Sequence, residues 1–310
     1  MTESEAVPVG PAAWIQLLHA EVCWSLREAG VRALVIKGPT IAEWLYPGEE
    51  RVSADADIMV SPGQYQAAVA ALVSRGFVDY AEGVHDAERT PHAVTFTRTD
   101  PQVGGHTVDL HHYFPGIEVD PGVAFESLWS GRTEAQTGGV AAWFPDLPSR
   151  LLIIVLHAAR GALTPKVLED QRRAWELCGV ELFTRSRELA EELDALAAFR
   201  VGLECVEETR HLVGELGLEA VPVPAHWALW NQGASGTAVH LEEALQRPWR
   251  ERPAFVGRWL FPSPATMRLR DASVGAGGLA LTKAYAGRLR MGLRSLPGAV
   301  RAVRNARGGG

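Results

Sequence analysis

The spacing of apolar residues predicts alternating helices and strands in the first half of the chain. Apolar positions three and four residues apart, which indicate helices, occur over residues 11–29, 40–45 and 62–75. Short apolar runs, which indicate buried strands, occur at residues 32–36, at residues 58–60 and from Phe77 onward. Gly30 and Gly76 follow the first and third helices, as expected for residues that end a helix.

Two segments with a period of two predict a β-hairpin. Residues 90–99 and 106–111 alternate between apolar and polar side chains, and a Pro/Gly-rich loop joins them. Together with the preceding alternation of elements, this hairpin predicts a small, mixed and strongly twisted sheet with flanking helices.

The second half of the chain has almost continuous helical spacing. Helices are predicted over residues 150–162, 166–178, 182–198, 201–214, 225–230, 237–246 and 252–260, with a basic helix at the C-terminus. The predicted fold class is therefore α+β. We expect a catalytic α/β domain over residues 1–148, a helical domain over residues 149–307 and a disordered tail at residues 308–310.

Composition and charge narrow the possible partners. The net charge of −7 leaves no global positive field to hold a nucleic-acid backbone, so a nucleic-acid partner is not expected. Three cysteines without a C-x-x-C motif, and an N-terminus without signal-peptide features, predict a cytoplasmic protein with reduced thiols. The apolar run at residues 151–156 is far shorter than the roughly 20 residues of a transmembrane helix, so no transmembrane segment is expected.

A pair of carboxylates is the first feature of the sequence that indicates a metal site. Asp55 and Asp57 stand two apart at the start of the strand at residues 58–60, so we expect both side chains on one face of the sheet. Two acids that point to one place repel each other unless a cation lies between them. Mg²⁺ prefers such oxygen ligands, and the pair therefore predicts a magnesium site.

A glycine turn precedes these acids and predicts a phosphate contact. Gly38 lies between a strand and a helix, where the backbone can approach a phosphate group. Lys37 would neutralise phosphate charge, although a solvated lysine at a strand end is the alternative. Arg51 is either a further phosphate contact or a partner for Glu49, Glu50 or the aspartates.

Asp109 and His111 extend the candidate site onto the predicted hairpin. Asp109 would be a third carboxylate, and three acids around two metal ions suit in-line displacement at phosphorus. His111 shares a strand face with Asp109 and would contact a phosphate, orient Asp109 or shuttle a proton. A zinc site is the alternative use of the nearby histidines, but their spacing favours loop and strand-face positions for His85, His92, His106 and His112.

The order of these motifs resembles a known family. The motifs are Lys37-Gly38, Leu45-Tyr46-Pro47, Arg51, Asp55-Ala56-Asp57, Gly76-Phe77, Val108-Asp109-Leu110-His111 and Leu260-Phe261-Pro262-Ser263, followed by the basic helix. In this order they resemble the poorly characterised bacterial nucleotidyltransferase-like family of the polymerase-beta-type nucleotidyltransferase superfamily. The broader superfamily has Gly-Ser or Gly-Gly in the turn and a shorter gap to the acids, whereas this chain has Gly38-Pro39.

The resemblance implies an activity and assigns roles. It implies that Asp55, Asp57 and Asp109 hold two Mg²⁺ ions, and that the Gly38 turn contacts a nucleoside triphosphate. It also implies a second-tier candidate, Asp170, on a helix of the second domain. The expected enzyme is a nucleotidyltransferase that moves a nucleoside monophosphate from ATP or another nucleoside triphosphate to a small-molecule or peptide acceptor, in specialised metabolism. The alternatives are a metal-dependent phosphohydrolase and a catalytically inactive nucleotide-binding or regulatory protein with the same fold.

Overall fold

The computed structural model describes residues 10–49, 51, 53–81, 92–100, 104–160, 163–231, 233–270 and 277–308. The chain divides into two compact units. The first contains the described residues of Met1–Tyr80, His92–Ile153 and Glu176–Leu189, and the second contains those of Ala81–Pro91, Ile154–Trp175 and Ala190–Gly310. The predicted domain division at residue 148 stays a prediction.

The first unit combines helices with one sheet. Its elements are, in chain order, α1 (Pro11–Glu28), β1 (Ala33–Val35), α2 (Pro39–Leu45), β2 (Ala56–Val60), a 3₁₀ turn (Pro62–Gln64), α3 (Tyr65–Ser74), β3 (Val78–Asp79), β4 (Ala93–Asp100), β5 (Gly104–His111), α4 (Pro121–Ser130), β6 (Thr133–Thr137) and β7 (Val140–Phe144). Helices α5 (Leu147–Ala159) and α6 (Pro165–Glu192) contribute residues to both units.

The second unit is helical in its described part. Its further helices are α7 (Leu196–Glu204), α8 (Glu207–Arg210), α9 (Leu212–Glu215), α10 (Ala225–Asn231), α11 (Gly236–Gln246), α12 (Arg252–Leu260), α13 (Pro264–Arg270) and α14 (Gly278–Gly308). The predicted mixed sheet followed by a helical region is therefore confirmed. Gly308, expected in a disordered tail, is the last residue of α14, and residues 309–310 lie outside the described part of the chain.

The described strands form one seven-stranded sheet in the order β3-β4-β5-β2-β1-β7-β6. Strand β2 pairs parallel with β5 and antiparallel with β1, while β1 pairs parallel with β7. The sheet is therefore mixed, and β2 lies near its centre. The predicted hairpin is confirmed, because β4 and β5 pair antiparallel from Ala93 opposite His111 to Asp100 opposite Gly104.

Apolar side chains of α1 and α3 cover one face of this sheet. Leu18, Val22 and Leu26 of α1, together with Leu72 of α3, are buried in one cluster with apolar residues of β1, β2 and β5. The helical spacing of α1 places these residues on one stripe, which explains why the sequence pattern identified the helix correctly.

Several elements differ from the sequence-based expectation. Strands β6 and β7 and helix α4 were not predicted. Strand β6 has the sequence TEAQT and is mostly exposed at the edge of the sheet, so it lacks the apolar alternation of a half-buried strand. The helix predicted over residues 62–75 begins later than expected. The 3₁₀ turn occupies its first residues, and α3 begins only at Tyr65.

Close packing at one glycine allows a test of how tightly two helices of the second unit pack against each other. A Cβ atom on Gly202 of α7 would lie 2.1 Å from the carbonyl oxygen of Val155. We expect Gly202→Ala to lower the free energy of unfolding by about 2–3 kcal/mol, because this backbone contact cannot relax without separating the helices. Urea unfolding followed by circular dichroism measures the change.

Gly257→Ala is the matched control for this substitution. Gly257 lies inside α12, and a Cβ atom there would meet nothing within 4 Å. This variant should be unchanged or more stable by roughly 0.5–1 kcal/mol, because alanine has the higher helix propensity. Equal effects of the two substitutions would contradict the packing argument.

Candidate active site

The register of two central strands brings Asp57, Asp109 and His111 together. Asp57 on β2 lies directly opposite Asp109 on β5, and Met59 lies opposite His111. Opposite residues on paired strands point to the same face, and Asp109 and His111, two apart, share that face as well. Potential ligand atoms of Asp57, Asp109 and His111 all lie within 4.8 Å of one another. The expected convergence of Asp57 and Asp109 on one side of the sheet is therefore present.

Asp57 is a buried carboxylate with two close partners. Its exposed fraction is 4%, and its Oδ1 atom accepts hydrogen bonds from Lys37 Nζ at 2.9 Å and from His111 Nε2 at 3.0 Å. Burial alone would raise the pKa of Asp57. The positive charge of Lys37 and the hydrogen bond from His111 outweigh burial, so the pKa lies well below its usual value and the group is an anion.

Asp55 lies just before β2, in a less protected position than Asp57. Its side chain accepts a hydrogen bond from the Ser53 hydroxyl at 3.3 Å. Burial raises the pKa of Asp55 first, and the negative charges of Asp57 and Asp109 raise it further. The charges of Asp57 and Asp109 therefore act on Asp55, although Asp55 is not in the group of potential metal ligands formed by Asp57, Asp109 and His111.

Asp109 has a partner that the sequence reasoning missed. The Thr95 hydroxyl on β4 donates to Asp109 Oδ1 at 2.6 Å, and Thr95 lies opposite Asp109 in the hairpin. The alternating pattern of the two segments predicted the hairpin but did not fix its register. Once the register is known, Thr95 is the residue expected beside Asp109.

The Gly38 turn has a conformation that favours glycine. Gly38 has φ +64° and precedes α2, and a Cβ atom there would lie 3.1 Å from two ring atoms of His19. His19 of α1 is fully buried, and its Nδ1–H donates to the Ile15 carbonyl at 2.8 Å. Among the described residues, His19 Nε2 has no hydrogen-bond partner, and burial lowers the pKa of the ring.

The apolar spacing of residues 11–29 predicts α1 but assigns no role to His19. The available signal was a histidine next to the apolar stripe of that helix, where an alkyl side chain is the ordinary choice.

The two remaining candidate residues are Arg51 and Asp170. The Arg51 guanidinium lies 5.6 Å from the centre of the Tyr46 ring, and Asp170 is buried on α6 in the second unit. The roles expected for Lys37, Gly38, Arg51 and Asp170 stay predictions.

The histidines of the zinc alternative do not gather around one point in the described structure. The His92 ring lies 5.6 Å from that of His111, whereas His106 packs against Trp14 and His112 against Tyr65. His85 lies outside the described residues. Within the part of the chain that the structure describes, the group of potential metal ligands is Asp57, Asp109 and His111.

The charges and donor atoms of the site fit a divalent cation. Asp55, Asp57 and Asp109 together carry more negative charge than Lys37 can offset, and the charges of Asp57 and Asp109 add to burial in raising the pKa of Asp55. Carboxylate oxygens suit Mg²⁺ or Mn²⁺, while the imidazole of His111 also suits transition metals. The residues could therefore hold such an ion.

The candidate site thus combines acids in register on two parallel strands with a glycine turn before a helix, in a mixed sheet. The sequence match gives the family: residues 15–211 match the model of a family described as uncharacterised nucleotidyltransferases. The match covers more than half of the chain, so the protein belongs to this family of nucleotidyltransferases. No protein of curated function matches the chain in sequence.

Solved structures show only a distant likeness. An antigenic nucleotidyltransferase-like protein from Paracoccidioides brasiliensis is 14% identical, with a TM-score of 0.39 over 60% of this chain and 92% of its own. The antibiotic-resistance factor ANT(2'')-Ia is also 14% identical, with a TM-score of 0.41 over 60% of this chain and 96% of its own. The family assignment rests on the sequence match. In the described structure, each helix is too short or too polar to cross a bilayer.

Asp57 has a lowered pKa and Asp55 a raised one, so the two residues should affect stability in opposite directions in metal-free buffer at pH 7. Asp57→Asn should lower the free energy of unfolding by about 3 kcal/mol, because Lys37 and His111 lose a buried anionic partner. Asp55→Asn should raise it by at most on the order of 1 kcal/mol, because it removes a carboxylate that burial and the charges of Asp57 and Asp109 destabilise, and solvent screens part of this effect.

The pH dependence of the free energy of unfolding follows from the directions in which the pKa values of Asp57 and Asp55 are shifted. Asp57, with its lowered pKa, stabilises the fold fully above the unfolded-state value of about 4 and progressively less as the pH falls below it. Asp55, with its raised pKa, costs stability only above that value, so the gain from Asp55→Asn should disappear in acid. Urea unfolding at several pH values measures both, and shifts of the same sign for the two variants would contradict this electrostatic description.

Proposed function

We propose that this protein is a Mg²⁺-dependent nucleotidyltransferase that transfers a nucleoside monophosphate from a nucleoside triphosphate to a small-molecule or peptide acceptor. ATP is the expected donor. The observation that carries the proposal is the in-register pair of Asp57 and Asp109 on parallel strands, with Lys37 beside them. Two carboxylates that would bind metal ions and an ammonium group that would neutralise a phosphate therefore lie close together in a member of a nucleotidyltransferase family.

The proposed metal ligands are Asp55, Asp57 and Asp109, with two Mg²⁺ ions as the expected number. Bound Mg²⁺ would polarise the phosphate oxygens and offset the negative charge that develops during displacement at phosphorus. The excess of acids supports this proposal, since Lys37 is the ammonium group that pairs with Asp57 and the other two carboxylates raise the pKa of Asp55.

Asp109 has a further proposed role beside metal binding. Its Oδ1 atom accepts the Thr95 hydroxyl, which fixes the orientation of the carboxylate on β5. A carboxylate held in this way can accept the proton of an acceptor hydroxyl as that group attacks the α-phosphorus and pyrophosphate leaves. His111, hydrogen-bonded to Asp57, would hold Asp57 in position as a positioning residue.

Lys37, Gly38 and Arg51 are proposed to interact with the triphosphate. The Lys37 ammonium lies 2.9 Å from Asp57, so a phosphate group near Asp57 would also lie near this charge. The Gly38 turn, which precedes the first residue of α2, is proposed to contact a phosphate group through its backbone. Arg51 would supply a second positive charge.

The acceptor is proposed to be a small molecule or a peptide, because the net charge of −7 does not favour a nucleic acid. The three free cysteines fit the expected reducing cytoplasm.

Binding of labelled ATP tests the first half of this function without knowledge of the acceptor. We expect equilibrium dialysis with [α-³²P]ATP to show binding that requires Mg²⁺ and disappears with chelator. Asp57→Asn should weaken this binding, and turnover should fall by about 10²–10³-fold, as for loss of a group that stabilises developing charge. Circular dichroism identifies any loss of folding in the variant.

Asp194→Asn is the matched control, because Asp194 is an exposed aspartate in the second unit with φ +51°, a conformation that asparagine tolerates. It should bind ATP like the unmodified protein. The second half of the function is tested with [α-³²P]- and [γ-³²P]ATP, Mg²⁺ and pooled metabolites or peptides. Pyrophosphate release with a labelled product is expected. Release of inorganic phosphate would instead favour the phosphohydrolase, and tight binding without turnover would favour the regulatory protein.

A further inference from the structure

Helix α14 packs one face against other helices of the second unit. Ala299 and Val303 are buried in a cluster with Leu229 of α10 and Ala238 of α11. On the same side of α14, the Ser295 and Thr237 hydroxyls hydrogen-bond at 2.7 Å. This side of the helix is therefore fixed by packing.

The opposite side of α14 carries a stripe of exposed cations. Lys283, Arg290, Arg294 and Arg301 follow one another at intervals of seven, four and seven residues, and all four are exposed. These intervals are close to whole turns, so the four side chains lie along one line of the helix. That line is about half a turn away from Ala299 and Val303.

Large apolar side chains accompany this stripe. Leu279, Met291 and Leu293 each have an exposed fraction of 71%. Leu279 lies one turn before Lys283, while Met291 and Leu293 stand between Arg290 and Arg294 in sequence and flank the line on its two sides. Leu279, Met291 and Leu293 therefore add exposed apolar surface beside the line of cations.

The helix also differs in charge from the rest of the chain. The sequence of residues 278–308 contains seven lysines and arginines and no aspartate or glutamate, a charge of +7. Since the whole chain carries −7, the remaining residues carry −14. The positive charge is thus concentrated on one helix, where it can act on an anionic partner.

We propose that the solvent-facing side of α14 binds the surface of an anionic lipid membrane, with the helix lying parallel to the surface. Leu279, Met291 and Leu293 would enter the boundary between headgroups and acyl chains, and the four cations would contact anionic headgroups. Long arginine side chains suit this position because their charged ends reach the headgroups while their stems remain near apolar atoms. A nucleic acid would use the same cations but would gain little from three exposed aliphatic side chains.

Sedimentation of the full chain with lipid vesicles tests this proposal. We expect binding to vesicles of phosphatidylcholine mixed with phosphatidylserine, weaker binding at high salt, and little binding to phosphatidylcholine alone. The combined substitutions Arg290→Gln, Arg294→Gln and Arg301→Gln should lower the partition coefficient about a hundredfold, at roughly fivefold for each arginine near the surface.

A control variant separates the stripe from net charge. Arg27, Arg185 and Arg250 are exposed and lie outside α14, and changing these three to glutamine alters the net charge by the same amount. Vesicle binding by this control variant should change less than threefold, because none of its three substitutions lies in the exposed stripe of α14. Equal losses in the two triple variants, or no vesicle binding by the unmodified protein, would overturn the proposal.

A second variant tests the apolar contribution. Met291→Gln combined with Leu293→Gln keeps every charge and should weaken vesicle binding by at least about tenfold, because two exposed apolar side chains no longer leave water. Circular dichroism checks that the helical content is unchanged. If this variant still binds vesicles like the unmodified protein, or if salt-sensitive binding is found for duplex DNA or RNA but not for vesicles, the partner is a polyanion and not a membrane.

Discussion

The burial of the Asp57 carboxylate between Lys37 and His111 is the interaction on which the candidate site depends. An anion withdrawn from water needs close positive or hydrogen-bonding partners, and these come from different elements: Lys37 follows β1, Asp57 lies on β2 and His111 ends β5. Because the sheet places β2 between β1 and β5, pairing of the three strands and satisfaction of the carboxylate require each other. The chemistry of the site is therefore built into the centre of the sheet.

The same arrangement leaves a charge imbalance that defines what the site can bind. Lys37 offsets Asp57, but burial raises the pKa of Asp55, and repulsion by the negative charges of Asp57 and Asp109 raises it further. Replacement of Asp55 by a neutral residue would relieve this repulsion, yet the chain has an acid there. A group that is unfavourable in the isolated fold is understandable if it interacts with a cationic ligand, since binding free energy then offsets the repulsion.

The sequence was sufficient for the elements whose pattern is local. The stripe of α1, the apolar run of β2 and the alternation of β4 and β5 each predicted their element, and Asp57 and Asp109 followed from their positions at strand starts and in the hairpin. The sequence was insufficient where contacts with a neighbouring strand determine whether an element forms or which residues meet. Strand β6 is polar and forms only because β7 offers an edge, and the contact of Thr95 with Asp109 depends on a register that alternation alone does not fix.

The Gly38-Pro39 turn shows how a distant residue can determine a local motif. A left-handed φ at Gly38 and a proline at the first position of α2 fix the turn geometrically, since proline has a nearly constant φ and needs no donor there. The ring of fully buried His19 occupies the space in which a side chain at position 38 would lie, so any larger residue would meet both backbone strain and this ring. Helix α1 therefore supports the turn directly. A substitution at His19 should alter the packing around Gly38, even though the two residues lie 19 positions apart in the sequence.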